Sequence, residues 1–510
     1  MFSVLLPLMP YLKYIFWVVG FLGFFQLIRV NSKLSARDFY ALPLLLLVIL
    51  GSGIYADFKY SSRLISGNMN LDTLFHADIS AMYLHYGVTS VGLDGLVPIL
   101  YHTLSHKMMA GISLIGGFEA LASYSYIYFS MAPLLLVFSL AKLSCKINEK
   151  IQFSNALLGA ALIFLAIIYF KIFARVALWD SWFVSESFLF GLVFLSFSIS
   201  SIMDWEKNKK YPDLMLTLAL VILAALSKGS IGLLALSMVW FLGVTRYRTI
   251  SYWAAIFFTT IVVYLVMHSV AENAQQYIPI TLFSFINSYV GGPNIFFLKL
   301  IVFSLFHYLF LWFCFFIGYH NAGRSYIKTL EFQILMSLFL PSVVIALTFD
   351  IKGGSAYYFS SVPVFVAFAF LSPHVKSLIQ KIKIWHLLLI TLFALQPLGK
   401  VIETRSFLTK VDKNIELEYM VAQLQSIRNS APINSIVRVE NSVTLQRIVG
   451  CKAYWMIPAV MERPLQSGLP DLELCPEFDS ELKGTYGLSA YYTDKKNTSN
   501  LKIVPLKLGM

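Results

Sequence analysis

Long apolar runs separated by short polar loops dominate the first 399 residues. A helix that crosses a bilayer core needs about 20 mostly apolar residues, because its backbone must satisfy its own hydrogen bonds in lipid. The stretches that qualify are 4–28, 39–56, 120–141, 153–173, 182–203, 213–227, 230–245, 250–269, 297–320, 331–349, 357–374 and 384–399. These stretches predict an all-α polytopic membrane protein with about 11–13 spans.

The chain changes character near residue 400. Of its 66 charged residues, 26 lie in the last 111 positions. Short strand-like runs at Ser435–Val439 and Tyr486–Tyr492, with a polar helix at Ile415–Ile427, are typical of a small α/β unit. We therefore predict a membrane domain at 1–399 and a water-soluble domain at 400–510.

Composition agrees with a membrane domain. The 510 residues are 58% hydrophobic and 13% charged, whereas a soluble domain is about 25% charged. The net charge of +12 does not predict a nucleic-acid partner, because Lys and Arg fall in short clusters between apolar runs. Of the four cysteines, Cys451 and Cys475 share the soluble domain, where they either pair or stay free, while Cys145 lies in a loop and Cys314 in a span.

Lys and Arg also predict the orientation, since cytoplasmic loops carry an excess of them. One alternating set of loops holds 16 and the other six. The larger set is Arg29, Lys33, Arg37, Lys142, Lys146, Lys150, Lys207, Lys209, Lys210, Arg246, Arg248, Arg324, Lys328, Lys376, Lys381 and Lys383. We therefore expect 57–119, 270–296 and 400–510 to face outward, in a bacterial plasma-membrane protein whose C-terminal domain is periplasmic.

The outward segment 57–119 is rich in side chains that can do chemistry. They are Asp72, His76, Asp78, Asp94, His102 and His106. Asp72 suits a helix N-cap, and the apolar positions from Leu74 to Leu84 then recur on one stripe until Gly87. This pattern predicts amphipathic juxtamembrane helices on the membrane surface, where a lipid-linked substrate presents its head group. The simpler alternative is that Asp72 is only a cap.

The residue order in this helix resembles a known family. Asp72 is followed by His76, by the triplet 77–79 (Ala-Asp-Ile) and by Gly87. This order is similar to the first outward loop of the GT-C class of integral-membrane glycosyltransferases, especially the protein O-mannosyltransferases and the lipid A aminoarabinose transferase. Those enzymes carry an acid or an Asp-Glu pair, an aromatic residue four positions on, then Ala-Glu-Ile and a closing Gly.

Two later segments resemble the same family in the same order. Residues 224–234, Ala-Ala-Leu-Ser-Lys-Gly-Ser-Ile-Gly-Leu-Leu, are similar to its Leu-Thr-Lys-Gly-Pro-x-x-Leu stretch. Residues 352–363 are similar to its Lys-x-x-Tyr-Tyr-x-x-x-x-Pro stretch. The chain departs from the family at Thr73, which replaces the second acid, and in a first outward loop that follows a second helix. Asp94, Tyr101, His102 and His106 have no recognised counterpart.

The resemblance implies an inverting transfer of a sugar from a polyprenyl-phosphate donor to an outward-facing glycan, lipid or protein. One carboxylate then removes the proton of the acceptor hydroxyl. Asp72 is the first choice for this base, with Asp78 or Asp94 in reserve.

The leaving lipid phosphate needs fixed cations, and the outward candidates are Arg175, Lys228 and Lys352. Tyr357 and Tyr358 are candidates for donor contact. The alternatives are that the basic residues are snorkelling anchors and the tyrosines part of an interfacial aromatic belt.

The histidines His76, His102 and His106 suit hydrogen bonding to phosphate or sugar. A divalent metal is the alternative, since His is a common ligand. We assign no metal ligands and no cofactor from the sequence, because no Cys or paired acid completes a ligand set.

Two other functions compete. An O-antigen-type polymerase or ligase also acts on polyprenyl-linked glycans, but such proteins usually carry a large late loop, and the loop at 350–356 is short. A lipid or glycan transporter usually has internal repeats and buried charges. The sequence offers only Glu119 and Glu186 near span ends.

Overall fold

The computed structural model describes residues 71–93, 95–99, 102–169, 185–271, 280–289, 295–349, 356–381, 415–433, 435–438, 450–451, 454–466 and 502–505. Of these residues, 81% are helical. The predicted spans at 4–28, 39–56 and 384–399 lie outside the described ranges.

Helices make up most of the described chain. They are α1 (Leu71–Tyr86), α2 (Leu104–Gly116), α3 (Ala120–Ala122), α4 (Phe129–Ile147), α5 (Phe153–Tyr169), α6 (Glu186–Asn208), α7 (Tyr211–Ser227), α8 (Gly229–Thr245), α9 (Ile250–Ala271), α10 (Ser284–Tyr289), α11 (Phe296–Val302), α12 (Leu309–Ala322), α13 (Leu330–Thr348), α14 (Tyr357–Ser360), α15 (Val362–Lys381), α16 (Ile415–Ser430) and α17 (Met456–Met461). Two π-helical segments, Ser123–Tyr128 and Phe303–His307, and a 3-10 turn, Gly323–Lys328, join some of them.

Three of these helices are long and apolar enough to cross a membrane: α6, α9 up to His268, and α13. A fourth candidate is the pair Phe296–His307 and Leu309–Lys328, which bends by 58°. The shorter helices α7 and α8 are also apolar. The polytopic α-helical class is therefore supported among the described residues, while the count of 11–13 spans stays a prediction.

The candidate spans differ in what surrounds them. Helix α6 is largely buried inside the bundle, in contact with α4 and α7, whereas α9 is mostly exposed. The exposed side chains of α9 are large and apolar and recur on one helical face: Phe257, Phe258, Ile261, Tyr264 and Leu265. An apolar face of this kind suits lipid rather than water.

The polar ends of the helices separate into two groups. At one end, Lys146 pairs with Asp204 at 2.6 Å and Arg246 pairs with Glu206. These basic residues belong to loops that we predicted as cytoplasmic. Glu186 begins the same helix α6 about 27 Å away from Asp204, at 1.5 Å per residue, which is close to the thickness of a bilayer core. The direction in which the bundle faces stays a prediction.

The C-terminal region contains a small sheet with strand order β2-β1-β3, where β1 is Ser435–Arg438, β2 Leu465–Gln466 and β3 Lys502–Pro505. Strand β1 pairs in parallel with β2 and antiparallel with β3. The predicted helix and first strand are confirmed in α16 and β1. The strand predicted at Tyr486–Tyr492 lies outside the described residues. Strands β2 and β3 are too short for an alternation of apolar and polar residues that would predict them.

Cysteine pairing is described in part. Cys451 is disulfide-bonded, and Cys475, the candidate partner in the same predicted domain, lies outside the described residues. Cys145 and Cys314 are free thiols.

The C-terminal region is joined to the segment 57–119 by backbone and side-chain contacts. The amide of Leu465 donates to the carbonyl of Gly92 at 2.7 Å, and the carbonyl of Leu465 accepts from the amide of Gly95 at 2.6 Å. Gly92 has a φ of +66°, and a Cβ there would lie 2.9 Å from the Met82 sulfur, so this position requires glycine. Arg428 also pairs with Glu119 at 2.6 Å.

Glu462 is the centre of this junction. Glu462 Oε1 accepts a hydrogen bond from the amide of Ala120 at 2.7 Å, and Glu462 Oε2 lies 3.0 Å from Nε2 of His85. Glu462 adopts a φ of +54°, which side-chain-bearing residues rarely do. Burial alone would raise the pKa of Glu462, but the hydrogen bonds from His85 and Ala120 outweigh burial and leave the pKa below its ordinary value.

The predicted position of α1 on the membrane surface is wrong. Residues 73–82 of this helix are buried on every face, because α2, α3 and α17 pack around it. Its predicted ends are close to the observed ones. Asp72 lies in the first turn rather than at the N-cap, and Gly87, with a φ of +70°, follows the last turn.

Glu462→Gln tests the junction. The amide keeps the size of the side chain but loses charge-assisted hydrogen bonds, each worth about 1.5–3 kcal/mol. Because the folded pKa of Glu462 is lowered, its contribution to stability is complete above the unfolded pKa of about 4.3 and is lost as the pH falls through the folded value. We expect a lower melting temperature than wild type in detergent at pH 7 and a smaller difference in acid.

Glu149→Gln is the matched control. Glu149 forms an ion pair with Lys207 on the surface, where both side chains are mostly exposed, and such pairs contribute little. Equal melting temperatures for the two variants at pH 7 would contradict the role given to Glu462.

Candidate functional site

Three helices bring together a group that we call the His-His-Glu cluster: His76 on α1, His106 on α2 and Glu186 in the first turn of α6. His76 Nδ1 and His106 Nε2 share a hydrogen bond of 2.8 Å, whose donor depends on the tautomers. His76 Nε2 lies 3.2 Å from Glu186 Oε2, and His106 Nε2 lies 3.6 Å from Glu186 Oε1. All three side chains are buried.

Neighbouring hydroxyl groups hold this cluster in place. Ser105 Oγ donates to Glu186 Oε1 at 3.2 Å, and Ser80 Oγ donates to the backbone carbonyl of His106 at 3.0 Å. The ring of Tyr124 stacks on His76 with centroids 6.2 Å apart. Tyr124 lies in the π-helical segment Ser123–Tyr128, and such segments are frequent at functional sites.

His102 extends the site along the start of α6. It precedes His106 by four residues, and its Nε2 lies 3.0 Å from Ser187 Oγ. Ser187 Oγ in turn lies 3.3 Å from Ser185 Oγ. In the sequence Ser-Glu-Ser at 185–187, Glu186 and Ser187 therefore contact histidines, and Ser185 contacts Ser187.

Lys228 approaches the site from the junction of α7 and α8. Its backbone is extended, and Lys228 is both the C-cap of α7 and the N-cap of α8. Gly232 permits this tight junction, since a Cβ there would lie 2.3 Å from the Cα of Ala225. The Lys228 ammonium lies 4.2 Å from the centre of the Tyr358 ring, a cation–π contact. Lys228 and Tyr358 come from the two later segments that resemble the GT-C class.

Asp72 lies one turn before His76 on α1, and its side chain is exposed. The protein atoms that surround the carboxyl nevertheless raise the pKa of Asp72 by desolvation, and the nearby charge of Lys228 opposes this rise. This influence of Lys228 indicates that the carboxylate and the ammonium lie in the same region of the protein.

Burial favours the neutral form of the histidines by lowering their pKa values. Burial lowers the pKa of His106 to about 3; a backbone contact with His102 opposes that shift and the charge of Lys228 adds to it. Burial, and next the charges of His106 and Lys228, hold the pKa of His76 well below its ordinary value. Neutral imidazoles are hydrogen-bonding groups or metal ligands rather than cations for phosphate.

Two of the other predicted site residues, Asp78 and Tyr357, do not join this group. Asp78 follows His76 by two residues, so it points to the opposite side of α1. Its carboxyl is buried without a hydrogen-bond partner among the described residues, and burial raises its pKa well above the ordinary value. Tyr357 packs against His307 instead, with ring centroids 5.7 Å apart. Asp94, Arg175 and Lys352 lie outside the described residues.

Glu186 has a role that its place in the sequence does not reveal. In the sequence it is an acid near a span end, whereas in the structure it is fully buried and contacts both His76 and His106. A signal was present, because an ionisable residue at the start of an apolar helix is a functional hypothesis by default. What the sequence lacked was the pairing of helices that identifies its partners.

No protein-family model matches this sequence, and no curated protein matches it either.

Proposed function

We propose that this protein is a membrane glycosyltransferase of the GT-C type, which transfers a sugar from a polyprenyl-phosphate donor to an acceptor at the outward face. The observation that carries the proposal is the proximity of Asp72, Lys228 and Tyr358. These residues come from three segments far apart in sequence, and they are the positions that resemble the motifs of that class.

The chemistry of transfer suits this arrangement. The acceptor oxygen attacks the anomeric carbon while Asp72 takes its proton, the bond between that carbon and the phosphate oxygen breaks, and the electron pair leaves with the polyprenyl phosphate. The configuration at the anomeric carbon inverts. A raised pKa suits a general base, because the carboxylate then holds the transferred proton more firmly. Asp72 is exposed, so an acceptor hydroxyl can reach it.

Lys228 is the group that we propose for the phosphate. The ammonium stands over the Tyr358 ring, which fixes its position without neutralising its charge. A fixed cation near a developing phosphate charge lowers the barrier, since it needs no reorganisation during the reaction. The exposed apolar face of α9 supports the proposal, because a polyprenyl chain can pack against such a surface.

Glu186 offers a second carboxylate near Asp72. The chain has Thr73 where the GT-C class has the second acid of its Asp-Glu pair, and the charge of Asp72 acts on Glu186 from the neighbouring helix. We infer that Glu186 supplies negative charge from α6 instead.

Buried charges are also typical of transporters, and here Glu186 and the half-buried Lys228 share one site. The two functions differ in their products. A transporter moves lipid-linked sugar across proteoliposomes without covalent change, whereas a transferase releases polyprenyl phosphate. A polymerase or ligase makes a ladder of repeats or joins a whole glycan, whereas the proposed enzyme adds one sugar.

Asp72→Asn tests the proposed base. The amide has nearly the same shape but cannot accept the acceptor's proton, so we expect the turnover of lipid-phosphate sugars to fall about 10²–10⁴-fold. The measurement is release of polyprenyl phosphate by purified protein in detergent. Asp213→Asn is the matched control, because Asp213 also lies in the first turn of a helix, at the other end of α7 from Lys228. Full activity of Asp72→Asn would refute Asp72 as the base.

Lys228→Met tests the cation and its link to Asp72. Loss of the fixed charge should slow transfer about 10²–10³-fold. Because Lys228 lowers the pKa of Asp72, its removal raises that pKa, so the acidic limb of the pH–rate profile moves to higher pH. Lys228→Arg keeps the charge and should leave the limb near its original position. An unshifted limb in Lys228→Met would show that the two residues act separately.

A further inference from the structure

The three side chains of the His-His-Glu cluster lie close enough together to bind one metal ion. We propose that His76, His106 and Glu186 bind one divalent transition-metal ion, for which Zn²⁺ is the best match. Their ligand atoms all lie within 4.8 Å of one another, and each comes from a different helix.

The distances fit a tetrahedral ion. Zinc binds imidazole nitrogen at about 2.0–2.1 Å and carboxylate oxygen at about 2.0–2.2 Å, so two ligand atoms of a tetrahedral site stand roughly 3.3–3.5 Å apart. The separation from His76 Nε2 to Glu186 Oε2 is 3.2 Å, and that from His106 Nε2 to Glu186 Oε1 is 3.6 Å. Each histidine thus has a nitrogen at about the tetrahedral ligand separation from one of the two Glu186 oxygens, and one ligand atom from each of the three residues lies within 4.8 Å of the others.

The carboxylate itself points to a cation. Glu186 Oε2 is buried, and it accepts no hydrogen bond from the residues that the structure describes, although His76 Nε2 is close. A buried carboxylate oxygen without a donor is costly. A metal ion at the centre of the cluster would satisfy this oxygen, and it would replace the hydrogen bond between His76 and His106.

The surroundings resemble the support that metal ligands receive in proteins. Ligating carboxylates are usually oriented by an outer hydrogen bond, and Ser105 Oγ donates such a bond to Glu186 Oε1. Ser80 Oγ fixes the backbone of α2 through the carbonyl of His106. These contacts hold two of the three ligands from different sides.

Two histidines and one glutamate leave the fourth position of a tetrahedral ion open, as in catalytic rather than structural zinc sites. Asp72 lies one turn before His76 on α1, so the proposed base and the proposed metal ligand are carried by the same helix. The metal proposal does not depend on sugar transfer, because occupancy can be measured without any substrate.

Metal content tests the proposal directly. The full-length chain, purified in detergent without a polyhistidine tag, should carry about one zinc per chain by elemental mass spectrometry. After chelation, it should bind added Zn²⁺ or Co²⁺ at one ion per chain. The Co²⁺ form should show the strong visible absorption of a tetrahedral site.

Three variants give the residue assignment. Glu186→Gln and His106→Asn should each lower Zn²⁺ affinity at least 100-fold and abolish the tetrahedral Co²⁺ spectrum. Ser105→Ala removes only the outer hydrogen bond and should lower affinity about 10–100-fold. His307→Asn is the matched control, because His307 is equally buried but lies in another part of the bundle, and it should bind zinc as wild type does.

The chelated wild-type protein keeps the test decisive if a variant fails to fold. Failure of that protein to bind Zn²⁺, Co²⁺ or Mn²⁺ at one ion per chain would overturn the proposal and leave the cluster as a hydrogen-bonded relay. Unchanged zinc binding in a folded Glu186→Gln variant would overturn it as well.

Discussion

The burial of the Glu186 carboxylate is the constraint on which the site depends. A carboxylate removed from water must be compensated by donors or by positive charge, because its desolvation otherwise costs several kcal/mol. Ser105, His76 and His106 converge on Glu186 from two other helices. Lys228 adds positive charge from the junction of α7 and α8, and its charge also acts on Asp72. Groups from α1 and α2 and from the junction of α7 and α8 thus surround the buried Glu186 carboxylate on α6.

The position of α1 depends on a second set of contacts, on the face of α1 opposite to the site. The C-terminal region closes over α1 through Glu462 and through the backbone of Leu465, which bonds to both Gly92 and Gly95. These contacts fix the helix that carries Asp72 and His76. The C-terminal region is therefore part of the support of the site, and a change at the junction can alter chemistry at a distance.

The sequence predicted the helical class well, because lipid imposes a length and an apolar composition that can be recognised locally. Over its described residues, each predicted stretch between 120 and 374 is helical except at single positions, which are Ser185, Tyr308, Phe349 and Ser361. The sequence also identified Asp72, Lys228 and Tyr358 as candidates. It misplaced α1, since an apolar stripe does not reveal that another domain covers the polar face. It could not assign the role of Glu186, because that role arises from contacts between helices more than 70 residues apart.

The central claim is that Asp72 and Lys228 act on the same bound substrate. The most direct measurement is a cryo-electron microscopy structure of the protein with a non-hydrolysable polyprenyl-phosphate sugar. We predict that the phosphate contacts the Lys228 ammonium and that the anomeric carbon faces the Asp72 carboxylate. Donor bound elsewhere, with Asp72 and Lys228 both remote from it, would contradict the account.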